Sequence, residues 1–377
     1  MVLLLKKELK FCIFIIIDII IVGCTNSHQT VLTNQGSINS VQDIYQSLSI
    51  TPQPNNQLCW YDADLSVDNW DSYITNPAFE DGLAYSLMIQ NVSVIGNSTY
   101  QLQPNVPNHI TYRGYYRSST NTEAFLPIRY IAFLNERQLT NVFANEEIPY
   151  QDMVFNSHQT QTFDMTIPSL DEGIHELVVI GIEQAELFND GRVGVFAIRA
   201  TFIVGNPLLS IDRTTYELIQ PYEYRNSSNF DTYWSLTAHS DQSHLMWVYP
   251  DIYKPVKDKL DFYMSVGYME QADMQAQHNI IPNPQPIALI TLLDYVQVPI
   301  QKDKLVFYGL LSSDNSYSYI PATIDLDGYT GKKELLIIQI SYPRVPYCLL
   351  IPTMTEREGF YFYFRIDVER YGIDVQN

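Results

Sequence analysis

The chain has 377 residues with 22 Lys and Arg against 42 Asp and Glu, and its formal net charge of -20 would repel a phosphate backbone. Nucleic acid is therefore excluded as a partner. Hydrophobic residues at 46% and aromatics at 13% give enough apolar surface to offset chain entropy, which excludes a disordered chain, and four Cys in this length exclude a disulfide-dense scaffold.

Met1 to Lys10 carry Lys6, Lys7 and Lys10 against Glu8, and an apolar run from Phe11 to Gly23 follows. This is the layout of a secretory signal, a basic region followed by a short apolar one. The run is about 13 residues against the ~20 that span a bilayer. Asp18 in its middle costs about 3 kcal/mol on insertion scales, so a permanent span is disfavoured.

The run ends in Ile21-Val22-Gly23-Cys24, which resembles the lipobox of bacterial lipoproteins. The resemblance covers only these first 24 residues, and Asp18 and Val22 depart from its commonest pattern. It implies that residues 1–23 are a removed signal and that the Cys24 thiol takes a diacylglyceryl group, with a fatty acyl chain such as palmitate. Two chains at about 0.8 kcal/mol per buried methylene hold a protein stably on a membrane where one does not. The expectation is an extracytoplasmic, lipid-anchored protein at the cell membrane.

Residues 24–57 are rich in Asn, Gln, Ser and Thr with Asp43 as the only formal charge, a composition that reads as a flexible tether. Cys59 then opens the candidate folded part. If it pairs with Cys348, the bridge closes a very long loop; the alternative is two separately buried thiols. The densest acidic and aromatic stretch follows, with Trp60, Asp62, Asp64, Asp68 and Trp70. Carboxylates at this spacing resemble a calcium loop, but Val67 stands where the sharp-turn Gly belongs and Tyr73 at the twelfth position, so no metal is expected there on the EF-hand pattern. Two Trp with nearby Asp also suit a sugar ring, and the same residues equally suit a plugged domain end with capped turns.

Beyond this point the pattern is one of strands. Phe163, Met165 and Ile167 alternate with Thr162, Asp164 and Thr166, and Phe196, Ile198, Ala200, Phe202 and Val204 alternate with Arg199 and Thr201 as outward residues. Phe360, Phe362, Phe364, Ile366 and Val368 alternate with Tyr361, Tyr363 and Arg365. Further strands are predicted at 87–95, 110–117, 128–134, 176–183, 231–239, 260–268, 287–296, 305–310 and 335–341. Asn189-Asp190-Gly191, Ser313-Asp314-Asn315 and Asp327-Gly328 supply turns. Met269 to Gln277 suits a short helical turn, and no period of a solenoid or propeller recurs.

The breakers of Val204-Gly205-Asn206-Pro207 place a boundary, giving β-sandwich domains at 58–205 and 206–377. The expected fold is all-β: two consecutive antiparallel β-sandwiches that resemble immunoglobulin-like domains in architecture, without their Cys…Trp…Cys spacing.

No nucleophile elbow, phosphate loop, C-x-x-C or H-E-x-x-H occurs, and His175-Glu176 lacks a second His. His239, Asp241 and His244 lie between Trp234 and Trp247, but His residues five apart point to opposite sides of one strand. No catalytic residue and no cofactor is assigned. Tyr112, Tyr115, Tyr116, Tyr361 and Tyr363 on outward strand faces offer contact area at low entropic cost. The composite expectation is a binding or interaction module for an envelope protein or polysaccharide. The alternatives are a lipid-anchored hydrolase with loop carboxylates and His between the domains, and a structural spacer.

Overall fold

The computed structural model describes residues 74–75, 82–89, 92–96, 98–118, 125–140, 149–183, 195–205, 215–219, 236–237, 254–266, 285–311, 318–344 and 366–376. The chain divides into two compact units, Met1–Ser37 and Ile38–Asn377, and every described strand belongs to the second. No helix among the described residues is long and apolar enough to cross a membrane.

The first ten strands are β1 (Gly82–Ile89), β2 (Ser93–Gly96), β3 (Thr99–Leu102), β4 (Asn108–Arg117), β5 (Phe125–Leu134), β6 (Arg137–Gln138), β7 (Gln151–Asn156), β8 (Gln159–Ile167), β9 (Gly173–Glu183) and β10 (Val195–Val204). The next ten are β11 (Glu217–Leu218), β12 (Leu236–Thr237), β13 (Lys254–Val256), β14 (Lys259–Val266), β15 (Gln285–Leu293), β16 (Val296–Val298), β17 (Val306–Leu311), β18 (Ser318–Asp325), β19 (Gly331–Ser341) and β20 (Ile366–Val375).

They form four sheets. In the first half, β1-β4-β8 faces β2-β3-β10-β9-β5, with β6 and β7 both on β5. In the second, β12-β14-β18 faces β11-β17-β15-β19-β20-β13, with β16 on β15. This is the all-β, double-sandwich fold that the strand pattern predicts. The antiparallel rule is relaxed at three pairings, where β3, β11 and β13 run parallel to β10, β17 and β20.

Each sandwich has its own core. Ile110, Tyr112, Met165 and Ile167 pack on Ile128, Tyr130, Leu177, Val179 and Phe202. Leu260, Phe262, Ile320 and Ile324 pack on Ile287, Leu289, Leu335, Ile337 and Ile373. A third core joins the halves: Ile131, Phe133, Val178, Ile180 and Ile182 lie against Ala288, Ile290, Leu292, Leu336, Ile338 and Ile340. The large sheets therefore meet face to face and make four layers of strand. Their middle strands are buried on both faces, which is why β5, β9, β15 and β19 are near-continuous apolar runs rather than alternating ones.

This seam corrects one expectation about β10. Its inward residues are placed as predicted, with Ala200, Phe202 and Val204 in the core, but Thr201 is buried too and Arg199 reaches across the seam. Their face of the strand is covered by the second half, not by water.

The second half repeats the connections of the first. In each, the last strand carries a parallel edge partner (β3 on β10, β13 on β20), and a two-residue turn joins the central strand to a short return strand. Asn135 and Glu136 form that turn in the first half, Asp294 and Tyr295 in the second, and all four have positive φ. Such a turn matches strand twist but favours Gly, so Glu136 and Tyr295 are held there against their own preference. The predicted strand 287–296 runs through this turn because neither pair contains Gly.

Candidate functional site

Apart from the tyrosines of β4, the residues singled out from the sequence as site candidates lie outside the described ones. Cys24, Cys59, Trp60, Asp62, Asp64, Asp68, Trp70 and Cys348 are outside them, as are His239, His244, Tyr361, Tyr363, residues 269–277, and the turns at 189–191 and 313–315. The Asp327-Gly328 turn is formed, with Gly328 at φ 81.

The tyrosine expectation is corrected. Tyr112 and Tyr116 are on the inner face of β4, buried in the first core, and the Tyr130 hydroxyl donates to that of Tyr112 at 2.9 Å. Burial raises the pKa of both phenols, so the pair stays neutral. Tyr115 faces outward but is covered by Ala84 and Ile74. A strand that can pair its hydroxyls in this way uses tyrosine as core.

What the described residues do gather is a set of ionisable and amide groups at the seam. At its centre, the Gln138 main-chain N–H donates to Gln297 Oε1 at 2.8 Å, and the Gln297 N–H donates to Gln138 Oε1 at 2.7 Å. Gln138 Nε2 donates to the Tyr295 carbonyl at 2.6 Å and Gln297 Nε2 to the Glu136 carbonyl at 3.0 Å. Each half presents the same group to the other, the pattern of an isologous contact.

Glu136, its side chain fully enclosed, accepts from the Tyr308 hydroxyl at 2.9 Å and from Arg344 Nη2 at 2.9 Å. Its second oxygen, Oε1, has no partner among the described residues. Glu176, also enclosed, pairs with Arg199 through Oε1 and accepts the Arg344 main-chain N–H through Oε2 at 2.9 Å. Arg199 then crosses the seam, its Nη1 donating to the Ser341 carbonyl at 2.8 Å and its Nη2 to that of Tyr342. Burial pushes the Arg199 pKa down to about 9, against the pull of Glu136, which leaves it charged at neutral pH.

The second half carries a matching set. Glu334 pairs with Arg370 and accepts from the Tyr295 hydroxyl, and its N–H donates to Asp294 Oδ1 at 2.9 Å. In the first half the Glu176 N–H donates to Asn135 Oδ1 at 3.0 Å in the same way. Arg129 closes one side with two bonds to Asp152, both 2.7 Å, while its guanidinium lies 4.0 Å from the Tyr150 ring and 4.5 Å from the Tyr295 ring. Burial, and then the carboxylates beside them, raise the pKa of Tyr295 and Tyr308.

The arrangement ties the two halves together. The carboxylates between them are each met by an arginine, and a buried pair held in this way favours one geometry. No group of three His, Cys, Asp or Glu side chains among the described residues is placed to hold a metal. The repeated Glu-Leu at 176–177 and 334–335, each opening an apolar strand, is the signal from which the seam could have been found.

No protein-family model matches the chain, and no curated protein sequence does. Among solved structures it is similar to the CARDB domain of a Pyrococcus furiosus protein in complex with di-metal ions, at 8% identity over 35% of this chain and 96% of that one, TM-score 0.24. It is similar to the calcium-binding domain CBD12 of CALX1.1 at 7% identity over 63% of this chain and 76% of that one, TM-score 0.20. A third likeness is to native E. coli alpha-2-macroglobulin, at 8% identity and TM-score 0.21, covering 78% of this chain and 17% of that one. The fold assignment rests on the four sheets themselves.

Proposed function

We propose that the protein is an extracytoplasmic lipoprotein, anchored at Cys24, whose sandwich halves at 58–205 and 206–377 act together as an interaction module for an envelope protein or polysaccharide. The observation that carries the interaction reading is the seam. Glu136 and Glu176, the carboxylates enclosed between the halves, are spent on Arg199, Arg344 and Tyr308, which is chemistry for holding two sandwiches as one presenting body. A hydrolase of the kind considered from the sequence needs such carboxylates open to substrate. Anchoring is supported by the basic and apolar leader that ends in Gly23-Cys24.

Expression of the full chain and of Cys24→Ser in a bacterial host tests the anchor. The expected result is a membrane-bound, acylated product of residues 24–377 that becomes soluble or unprocessed in the variant; unchanged membrane association of Cys24→Ser would overturn it. Co-sedimentation of the solubilised protein with insoluble cell-wall polymer, and cross-linking in intact envelopes, test the module. Retention on neither polymer nor a specific protein removes the interaction reading.

A further inference from the structure

His175 lies near the start of β9 beside the Asn135-Glu136 turn. Its Nδ1 is 2.9 Å from Asn135 Nδ2 and its Nε2 is 2.9 Å from the Asp171 carbonyl oxygen. Asn135 Oδ1 is already taken by the Glu176 N–H, which fixes the amide with its nitrogen toward the ring. The amide nitrogen only donates and the carbonyl only accepts, so a single form of the imidazole satisfies both: neutral, with its proton on Nε2.

The equivalent corner of the second half is built the other way. Lys333 stands where His175 does and Asp294 where Asn135 does, and they form an ion pair at 2.8 Å. One copy holds a lysine–carboxylate pair; the other holds an amide–imidazole pair.

We propose that His175 is a proton-operated release for the seam, in which protonation sets an N–H against the Asn135 amide, displaces the turn, and loosens Glu136 and Glu176 from their partners in the second half. The path is short. Asn135 is bound to Glu176 through both its side chain and its main chain, and the next residue, Glu136, holds Arg344 and Tyr308. The groups around His175 are Asn135 and Glu136 in the turn, Asp171 before β9, Glu176 on its own strand and Arg344 from the second half, with uncharged Phe202 opposite on β10.

Burial disfavours the charged ring, the Asp171 carbonyl favours it, Arg344 opposes it and the Asp171 carboxylate supports it; the balance lowers the pKa from 6.5. For a base held below its unfolded value, stability is full above that value and declines as pH falls through and below it. The release therefore works on acidification.

Thermal unfolding of the full-length protein in detergent, from about pH 7.5 to about pH 5, tests this with His175→Gln and Asn135→Asp as variants. In the wild type the midpoint should fall by roughly 1–2 °C more than in His175→Gln, which stays uncharged. In Asn135→Asp, which recreates the acidic member of the second-half pair, the acid-side fall should shrink or reverse. Equal pH profiles for wild type and both variants would overturn the proposal. Hydrogen exchange at both pH values, corrected for intrinsic rate, reads the seam itself. Protection should drop on acidification in β5 and β9 and also in β15 and β19; loss confined to the start of β9 would overturn the release while leaving the proposed interaction function untouched.

Discussion

Arg199 carries a guanidinium into a nearly closed seam, and each of its three nitrogens has an acceptor: Glu176 on its own half and two carbonyls on the other. Such a group contributes little when compared with a well-packed apolar substitute, yet its removal alone leaves a carboxylate buried without a cation. Arg199→Met should therefore destabilise the protein by about 3–5 kcal/mol in urea unfolding, and Arg199→Met combined with Glu176→Leu should recover most of that loss. If the double variant is no better than the single one, the cost lies in the lost cross-seam carbonyl bonds and not in the stranded charge.

At the scale of single strands, close packing replaces charge as the constraint. A Cβ at Gly181 in β9 would lie 2.1 Å from Cζ of Phe196, whose ring stacks on Tyr85 at 4.9 Å and meets Tyr130 edge-on at 6.0 Å. The ring has neighbours on two sides and little room to give. Gly181→Ala should cost about 1–3 kcal/mol by the same unfolding measurement. The strands themselves were largely legible. In β8, Met165 and Ile167 point inward while Asp164 and Thr166 point out, as their alternation predicts, because one face of that sheet meets solvent. Where both faces are covered the signal changes to an unbroken apolar run, which identifies a strand but not what lies against it. Hence alternation reads Thr201 as outward; the tyrosines of β4 mislead for another reason, that a phenol with a polar tip suits either face until its hydroxyl finds a buried partner. The glutamine pair at the centre of the seam was not legible, since Gln138 and Gln297 are 159 residues apart, and only the repeated Glu-Leu of β9 and β19 hinted at the seam around it. Sequence alone proposed sites at Cys24 and at Trp60 to Trp70, and no described residue bears on them.

For the molecule as a whole, the shared core is decisive. Ile180 and Ile338 are both fully buried, and each stays so only while the other half is in place. Burying a side chain of this kind contributes about 1.5–3 kcal/mol, and more than ten of them meet there. Calorimetry of the solubilised protein should accordingly show one transition, with calorimetric and van't Hoff enthalpies equal, rather than two separated by half. Two resolved transitions would mean that each sandwich stands without its neighbour.

The exchange between Gln138 and Gln297 reaches beyond energetics. Equivalent strands are free to differ wherever each meets only its own surroundings, and β4 and β14 do, one lined with tyrosine and the other with Leu, Phe and Met. At 138 and 297 that freedom ends. Each side chain holds the other's main chain, so a change at either position strands both a donor and an acceptor on the opposite half. The two glutamines act as a unit, one contact that the sequence has to supply from two places.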